Sequence, residues 1–322
     1  MRFVTFRYQD EERLGLLAGA EQVLDLPKAG ALAVELALAQ RPQAFDNDMI
    51  AFLGAGCAAV LSAQLLLEGL AGEQGAARAE RLRCAGALLP LGGVRLLAPI
   101  PRPRKNVFCL GLNYADHAAE SSKFIKKEPK LPQYPVFFTK APTAVIGPEA
   151  DILWDTTATK ELDYEAELGI VIGQRGKNIP REQAYDYIFG YTLVNDVSAR
   201  DLQRRHGQWF KGKTLDGTCP LGPYIVHKSA VPDPMRLDIW SRVNGEVRQH
   251  SNTGRMIFDI PTIIEQLSLG LTLEPGDVIA TGTPSGVGFA REPQGLLRDG
   301  DAVEVEVESV GVLRNRVRAV AG

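Results

Sequence analysis

The chain is predicted to adopt an α+β, β-rich fold, with a small N-terminal α+β domain over residues 1–96 and a larger β-rich domain over 103–322. Three observations carry this. Leu97-Ala98-Pro99-Ile100-Pro101-Arg102-Pro103-Arg104-Lys105 holds three prolines in five residues. Proline fixes φ, removes a backbone donor and pushes the preceding residue out of the helical region, so this stretch reads as an extended boundary. Beyond it, short β-type runs recur between Gly and Pro turns. Helical periodicity there is confined to about 181–187, 199–205 and 256–269, which argues against a doubly wound fold.

Before the boundary, strand-like runs cover Phe3 to Tyr8, Leu14 to Leu17 and Gln22 to Leu26, followed by Ala- and Leu-rich helical stretches near 30–40 and 58–72. After it, the strand candidates are Val107 to Leu110, Val136 to Thr139, Leu168 to Ile172, Phe189 to Val194, Tyr224 to Val226, Leu237 to Val243, Val278 to Thr281 and Ala302 to Val307.

The 322 residues carry a net charge of -3, so no global basic field points to nucleic acid or an anionic membrane surface. No apolar run reaches the roughly 18 to 20 residues that span a bilayer, and Met1-Arg2-Phe3-Val4-Thr5-Phe6-Arg7 lacks a signal peptide's apolar region. Cys57, Cys84, Cys109 and Cys219 form no C-x-x-C pair and read as reduced thiols. A cytoplasmic protein acting on small solutes is expected.

Glu165 and Glu167 lie one residue apart in a segment running into the β-branched stretch Leu168-Gly169-Ile170-Val171-Ile172, and Asp196 follows after Asn195. Residues two apart on a strand share a face, so both glutamates point to one spot. An all-oxygen, anionic set suits a hard cation such as Mg²⁺ or Mn²⁺ better than Zn²⁺. The spacing has a second reading: Glu161, Asp163, Glu165 and Glu167 form a period-two acidic row that also describes the wet face of a strand.

His117 and Glu120 stand three apart after a strand, where a helix brings them onto one face. A carboxylate that orients an imidazole makes it an effective general base, although the same spacing occurs in surface helical pairs. Lys123, Lys126, Lys127 and Lys130 precede Pro132 in a basic stretch that reads as a flap or a solvated loop. The turn-rich segment Gln208 to Pro223 carries Lys211 and Lys213; a lysine beside anionic ligands stabilises an enolate, whereas a surface loop leaves it merely solvated. Asp277 to Gly288 reads as a strand feeding a glycine loop whose N–H groups approach an anion, without the G-K-[ST] of a nucleotide loop. Arg200 and Gln203 follow Asp196 closely enough to steady it or meet substrate. His206, His227 and His250 show no ligand spacing.

Seven ordered blocks between about 105 and 290 resemble the fumarylacetoacetate hydrolase family. They are Gly111 to Glu120, Pro135 to Thr143, Tyr164 to Gly173, Asn195 to Gln203, Gly212 to Gly222, Val243 to Glu246 and Thr281 to Gly288. The resemblance implies a mixed β-roll/β-sandwich catalytic domain, a homodimer, and Mg²⁺ or Mn²⁺ held by Glu165, Glu167 and Asp196. It further implies a water-activating His117–Glu120 dyad on a lid, Lys213 near the metal, and Lys140, Arg200, Gln203 and Thr283 as substrate contacts. One departure is Gly217-Thr218 after Asp216, where many relatives carry threonine directly. Residues 1–96 carry none of the matched motifs and are expected to support dimerisation or shape the cleft.

The expected activity is divalent-metal-dependent hydrolysis of a C–C bond in an acylpyruvate-like 2,4-dioxo acid, through a metal-stabilised enolate. The same enolate chemistry serves oxaloacetate decarboxylation or tautomerisation and 2-oxo-diacid isomerisation. A non-enzymatic organic-acid binding protein is the reading of a different class.

Overall fold

The computed structural model describes residues 1–124 and 131–321. Among the described residues, strands dominate and form mixed sheets with few helices, an α+β, β-rich fold. Lys126, Lys127 and Lys130 of the expected flap lie outside the described residues, and Lys123 falls within the helix Ala115–Phe124.

The large sheet is built around the strand Ala166–Ile172, which is buried at every position. It pairs antiparallel with Ile188–Asn195 on one side and Val278–Ala280 on the other. Burial on both faces explains its near-continuous apolar run where a one-sided strand would alternate. Val171 enters one hydrophobic core, while Leu168, Ile170 and Ile172 enter another.

The first core lies towards the N-terminal residues, where Phe3, Leu16, Phe52 and Leu66 join Leu221 and Ile225. Strand Arg2–Tyr8 pairs with Cys219–His227 through Arg2↔Val226 and Phe3↔Ile225, so residues 1–96 continue the large sheet. The second core lies against a five-stranded sheet, counted among the described residues, in which Asp238–Val243 and Ala302–Val307 alternate buried and half-buried positions. That period of two is expected of sheets covered on one face. Ile239, Val305 and Leu313 from it meet Leu168 and Ile170, together with the helix Ile260–Ser268. The helix starts where Asp259 accepts from Thr262 N at 3.0 Å and Pro261 sets the first turn.

Two expectations need correction. Residues 32–37 form turns instead of continuing a helix through 30–40, because the chain reverses at Ala37 (φ 53°) and Leu38 N donates back to Ala33 O at 2.9 Å. The strand through Leu162 to Ile172 is also interrupted: Leu162–Asp163 pairs with Ser198–Ala199, and the long strand restarts at Ala166. At the break, Glu165 N donates to Asn195 Oδ1 at 3.0 Å and Asp196 N donates to Glu165 O at 2.9 Å. Side-chain and turn bonds replace the ladder there.

Candidate metal centre and active-site cavity

Glu165, Glu167 and Asp196 converge where the two central strands end. Each offers a carboxylate oxygen within 4.8 Å of the others, and all three side chains are buried. Asp163 is buried as well, which removes the wet-face reading of the acidic row at 163, 165 and 167.

A buried anion needs a partner, and the partners are named. Lys213 Nζ lies 2.7 Å from both Glu165 Oε2 and Asp196 Oδ2, and Lys140 Nζ lies 2.8 Å from Asp196 Oδ1. Arg200 lies 2.6 Å from Glu165 Oε1 and 2.9 Å from Asp163 Oδ2. Burial alone would raise the Glu165 carboxyl, but Lys213 and Arg200 outweigh it and hold it well below the usual carboxylate range. Burial would likewise lower the Lys213 ammonium, yet Asp196 and Glu165 leave it raised and protonated.

Glu167 differs. Its Oε2 accepts from Gly282 N at 2.7 Å, its Oε1 is buried without a hydrogen-bond partner, and among the described residues it has no ion pair. Burial, together with Asp196 and Glu165, pushes its carboxyl well above the ordinary value. An orphaned anionic oxygen inside an all-oxygen cradle fits a hard divalent cation, which would supply the missing positive charge.

These groups open onto a cavity of about 300 Å³ whose wall includes Glu165, Lys213, Arg200, Gln203, His117 and Thr283. Phe138, Trp209 and Phe289 provide its apolar side. Phe138 and Trp209 meet edge to face at 5.4 Å, Lys213 Nζ sits 5.1 Å from the Phe138 ring, and Arg200 stacks 4.4 Å over Phe289. Trp209 lies so close to Gly111 that a Cβ there would fall 2.0 Å from the indole, so only glycine fits.

His117 and Glu120 share one face of Ala115–Phe124, with Nδ1 3.4 Å from Glu120 Oε2. The helix docks on the glycine loop: Ser285 Oγ donates to Asp116 Oδ2 at 3.0 Å, and Gly286 N lies 3.1 Å from Glu120 Oε1. The loop's N–H groups do approach anions, and those anions belong to the protein: Glu167, Glu120 and, from Gly288 N at 2.7 Å, Asp163.

Of the four expected substrate contacts, Arg200, Gln203 and Thr283 line the cavity and Lys140 stands back from it. Lys140 is fully buried and its ammonium is committed to Asp196 Oδ1 and to Val197 O at 2.9 Å. The Thr218 hydroxyl turns away to Leu215 O at 2.6 Å, after Gly217 at φ 72°. Asp163, Trp209 and Phe138 were not singled out from sequence, though Asp163 stood in the acidic row. Its carboxylate accepts from Arg200 Nε, Tyr164 N, Gly288 N and Phe289 N, which ties the arginine to the loop carrying the ring it stacks on.

The family model for the fumarylacetoacetate (FAA) hydrolase C-terminal region matches residues 106–318. The oxaloacetate tautomerase YisK of Bacillus subtilis is 42% identical over 317 residues, covering 98% of this chain and 100% of the relative. Among solved structures, 5-carboxymethyl-2-hydroxymuconate delta-isomerase from Mycobacterium smegmatis aligns with a TM-score of 0.70 at 34% identity over 99% of this chain and 100% of that one. Maleylpyruvate hydrolase from Sphingobium sp. SYK-6, solved with manganese(II) and pyruvate, aligns with a TM-score of 0.69 at 30% identity over 99% of each chain. A buried carboxylate trio, an ordered series of motifs and near full-length likeness converge on one conclusion: the chain belongs to the fumarylacetoacetate hydrolase family.

Proposed function

We propose that this chain catalyses enol–keto tautomerisation of a small 2-oxo dicarboxylate of the oxaloacetate class, the runner-up to hydrolysis on sequence alone. The observation that carries it is the convergence of His117, Arg200, Lys213 and Glu165 on one cavity, with Glu167 and Asp196 completing an oxygen cradle behind them. The oxaloacetate tautomerase relative and the delta-isomerase structure support proton relocation over bond hydrolysis.

Glu165, Glu167 and Asp196 would hold Mg²⁺ or Mn²⁺. Such a cation supplies Lewis-acid stabilisation of negative charge on the 2-oxo oxygen. Tautomerisation moves one proton from the enol oxygen to C3 and consumes no water. His117, on the cavity wall and oriented by Glu120, takes the enol proton and returns one to C3. Lys213 stays an ammonium and offsets charge on the oxygen side, while Arg200 and Gln203, joined at 3.1 Å, receive a substrate carboxylate. Lys140 steadies Asp196 from behind. Phe138, Trp209 and Phe289 limit water, which strengthens each of these interactions.

Hydrolysis of an acylpyruvate is the second reading, favoured by the His117–Glu120 contact, an arrangement that also deprotonates water. Parallel assays of oxaloacetate enol decay and acetylpyruvate cleavage, each with Mn²⁺, separate the two. Accelerated enol decay without acetylpyruvate cleavage supports the tautomerase; cleavage without enol decay supports the hydrolase.

A further inference from the structure

Gln249 sits on Glu246–Asn252, a strand of the five-stranded sheet, yet its side chain is 1% exposed and reaches the cradle. Its Oε1 accepts from Ala166 N at 3.0 Å, and its Nε2 lies 2.8 Å from both Pro284 O and Thr283 Oγ1. The amide orientation is dictated by its neighbours, since Ala166 N–H can only donate and Pro284 O can only accept. Nε2 therefore spends one hydrogen on Pro284 and the other on Thr283. The Thr283 hydroxyl in turn donates to Ala166 O at 3.0 Å. The ring closes on the single residue between Glu165 and Glu167, gripping its N–H and its C=O from one buried amide and one hydroxyl.

We infer that Gln249 is a positioning residue that holds the Glu165–Glu167 backbone in register for cation binding and fixes Thr283 as a hydrogen-bond acceptor towards the cavity. The second part follows from proton accounting. A hydroxyl has one hydrogen and two lone pairs; the hydrogen goes to Ala166 O and one lone pair to Gln249, so the remaining lone pair is what a ligand meets on this wall. Thr283 is thereby suited to receive the enol O–H as the ligand docks, before His117 takes that proton, whereas a 2-oxo group has no hydrogen to offer it. The inference rests on the cradle reading of Glu165, Glu167 and Asp196 and goes beyond it.

The test compares wild type with Gln249→Met, Thr283→Val and Thr283→Ser. Mn²⁺ affinity is read by electron paramagnetic resonance without substrate, protection of the Ala166 amide by hydrogen exchange, and enol decay by absorbance. Gln249→Met should weaken Mn²⁺ binding about tenfold or more, as loss of an outer support commonly does, and should lower both kcat and Ala166 protection. Thr283→Val should weaken Mn²⁺ binding less than Gln249→Met does, because Ala166 N keeps its bond to Gln249, and should lower kcat/KM about fivefold to tenfold, the worth of one hydrogen bond, with Thr283→Ser restoring both. A folded Gln249→Met with wild-type Mn²⁺ affinity and Ala166 protection, or equal kcat/KM for Thr283→Val and Thr283→Ser, overturns the inference. Should Gln249→Met fail to fold, the Val/Ser comparison decides. A wild-type protein that binds Mn²⁺ and turns over no oxaloacetate contradicts the tautomerase reading while the substrate-free comparison still judges Gln249.

Discussion

Of the three carboxylates that converge, Glu165 and Asp196 face ammonium groups and Glu167 does not, and this asymmetry has opposite consequences with and without metal. In metal-free protein, Glu167→Gln removes a desolvated carboxylate held against two like charges, so the thermal midpoint should rise. With Mn²⁺ present, the same change should weaken binding by about 100-fold or more, so wild type gains more from the metal than the variant does. Differential scanning fluorimetry with EDTA and with Mn²⁺ reads both signs. His117→Ala should lower kcat for enol decay by about 10² to 10⁴, the usual worth of a positioned acid–base group, with a smaller change in KM. Asp163→Ala leaves the buried Arg200 with a single remaining carboxylate, Glu165. Breaking a buried pair this way costs about 3–5 kcal/mol, measurable by urea unfolding.

At the level of single elements, the helix Ile260–Ser268 shows how a cap ties stability to pH. Burial alone would push the Asp259 carboxyl up, but its bonds to Arg181 and Thr262 outweigh that and hold it below the usual range. A lowered folded-state pKa contributes stability that is complete above the ordinary aspartate value of about 3.9 and is lost as pH falls through the folded value. Asp259→Ala should therefore cost about 1 kcal/mol at neutral pH, a cap's typical worth, and the gap to wild type should close in acid. This helix, with its Asp-x-Pro start and apolar period, was legible in the sequence, as was the buried strand Ala166–Ile172. The strands Asp151–Asp155, Glu246–Asn252 and Gly311–Val320 were not, because the polar and arginine residues of their exposed faces interrupt the apolar signal. At the site, carboxylate spacing pointed to the trio. Gln249 gave no local signal, since its partners Ala166 and Thr283 are 83 and 34 residues away and belong to other elements.

Across the whole molecule, strand Arg2–Tyr8 covers Cys219–His227, and Phe3, Leu16 and Phe52 share a core with Leu221 and Ile225. With a proposed division near residues 96–103, a chain spanning 103–322 alone should expose that strand edge and apolar face. It should aggregate or melt well below the full chain, as judged by light scattering and calorimetry. The proposed homodimer should elute at twice the chain mass in size-exclusion chromatography with light scattering. The most direct test of the tautomerase reading is stopped-flow decay of the oxaloacetate enol with the full-length chain loaded with Mn²⁺, stripped with EDTA, and carrying Glu167→Gln. Acceleration that requires Mn²⁺ and falls away in the variant is the expected result; an enol lifetime unchanged by the loaded wild-type protein contradicts the proposed function.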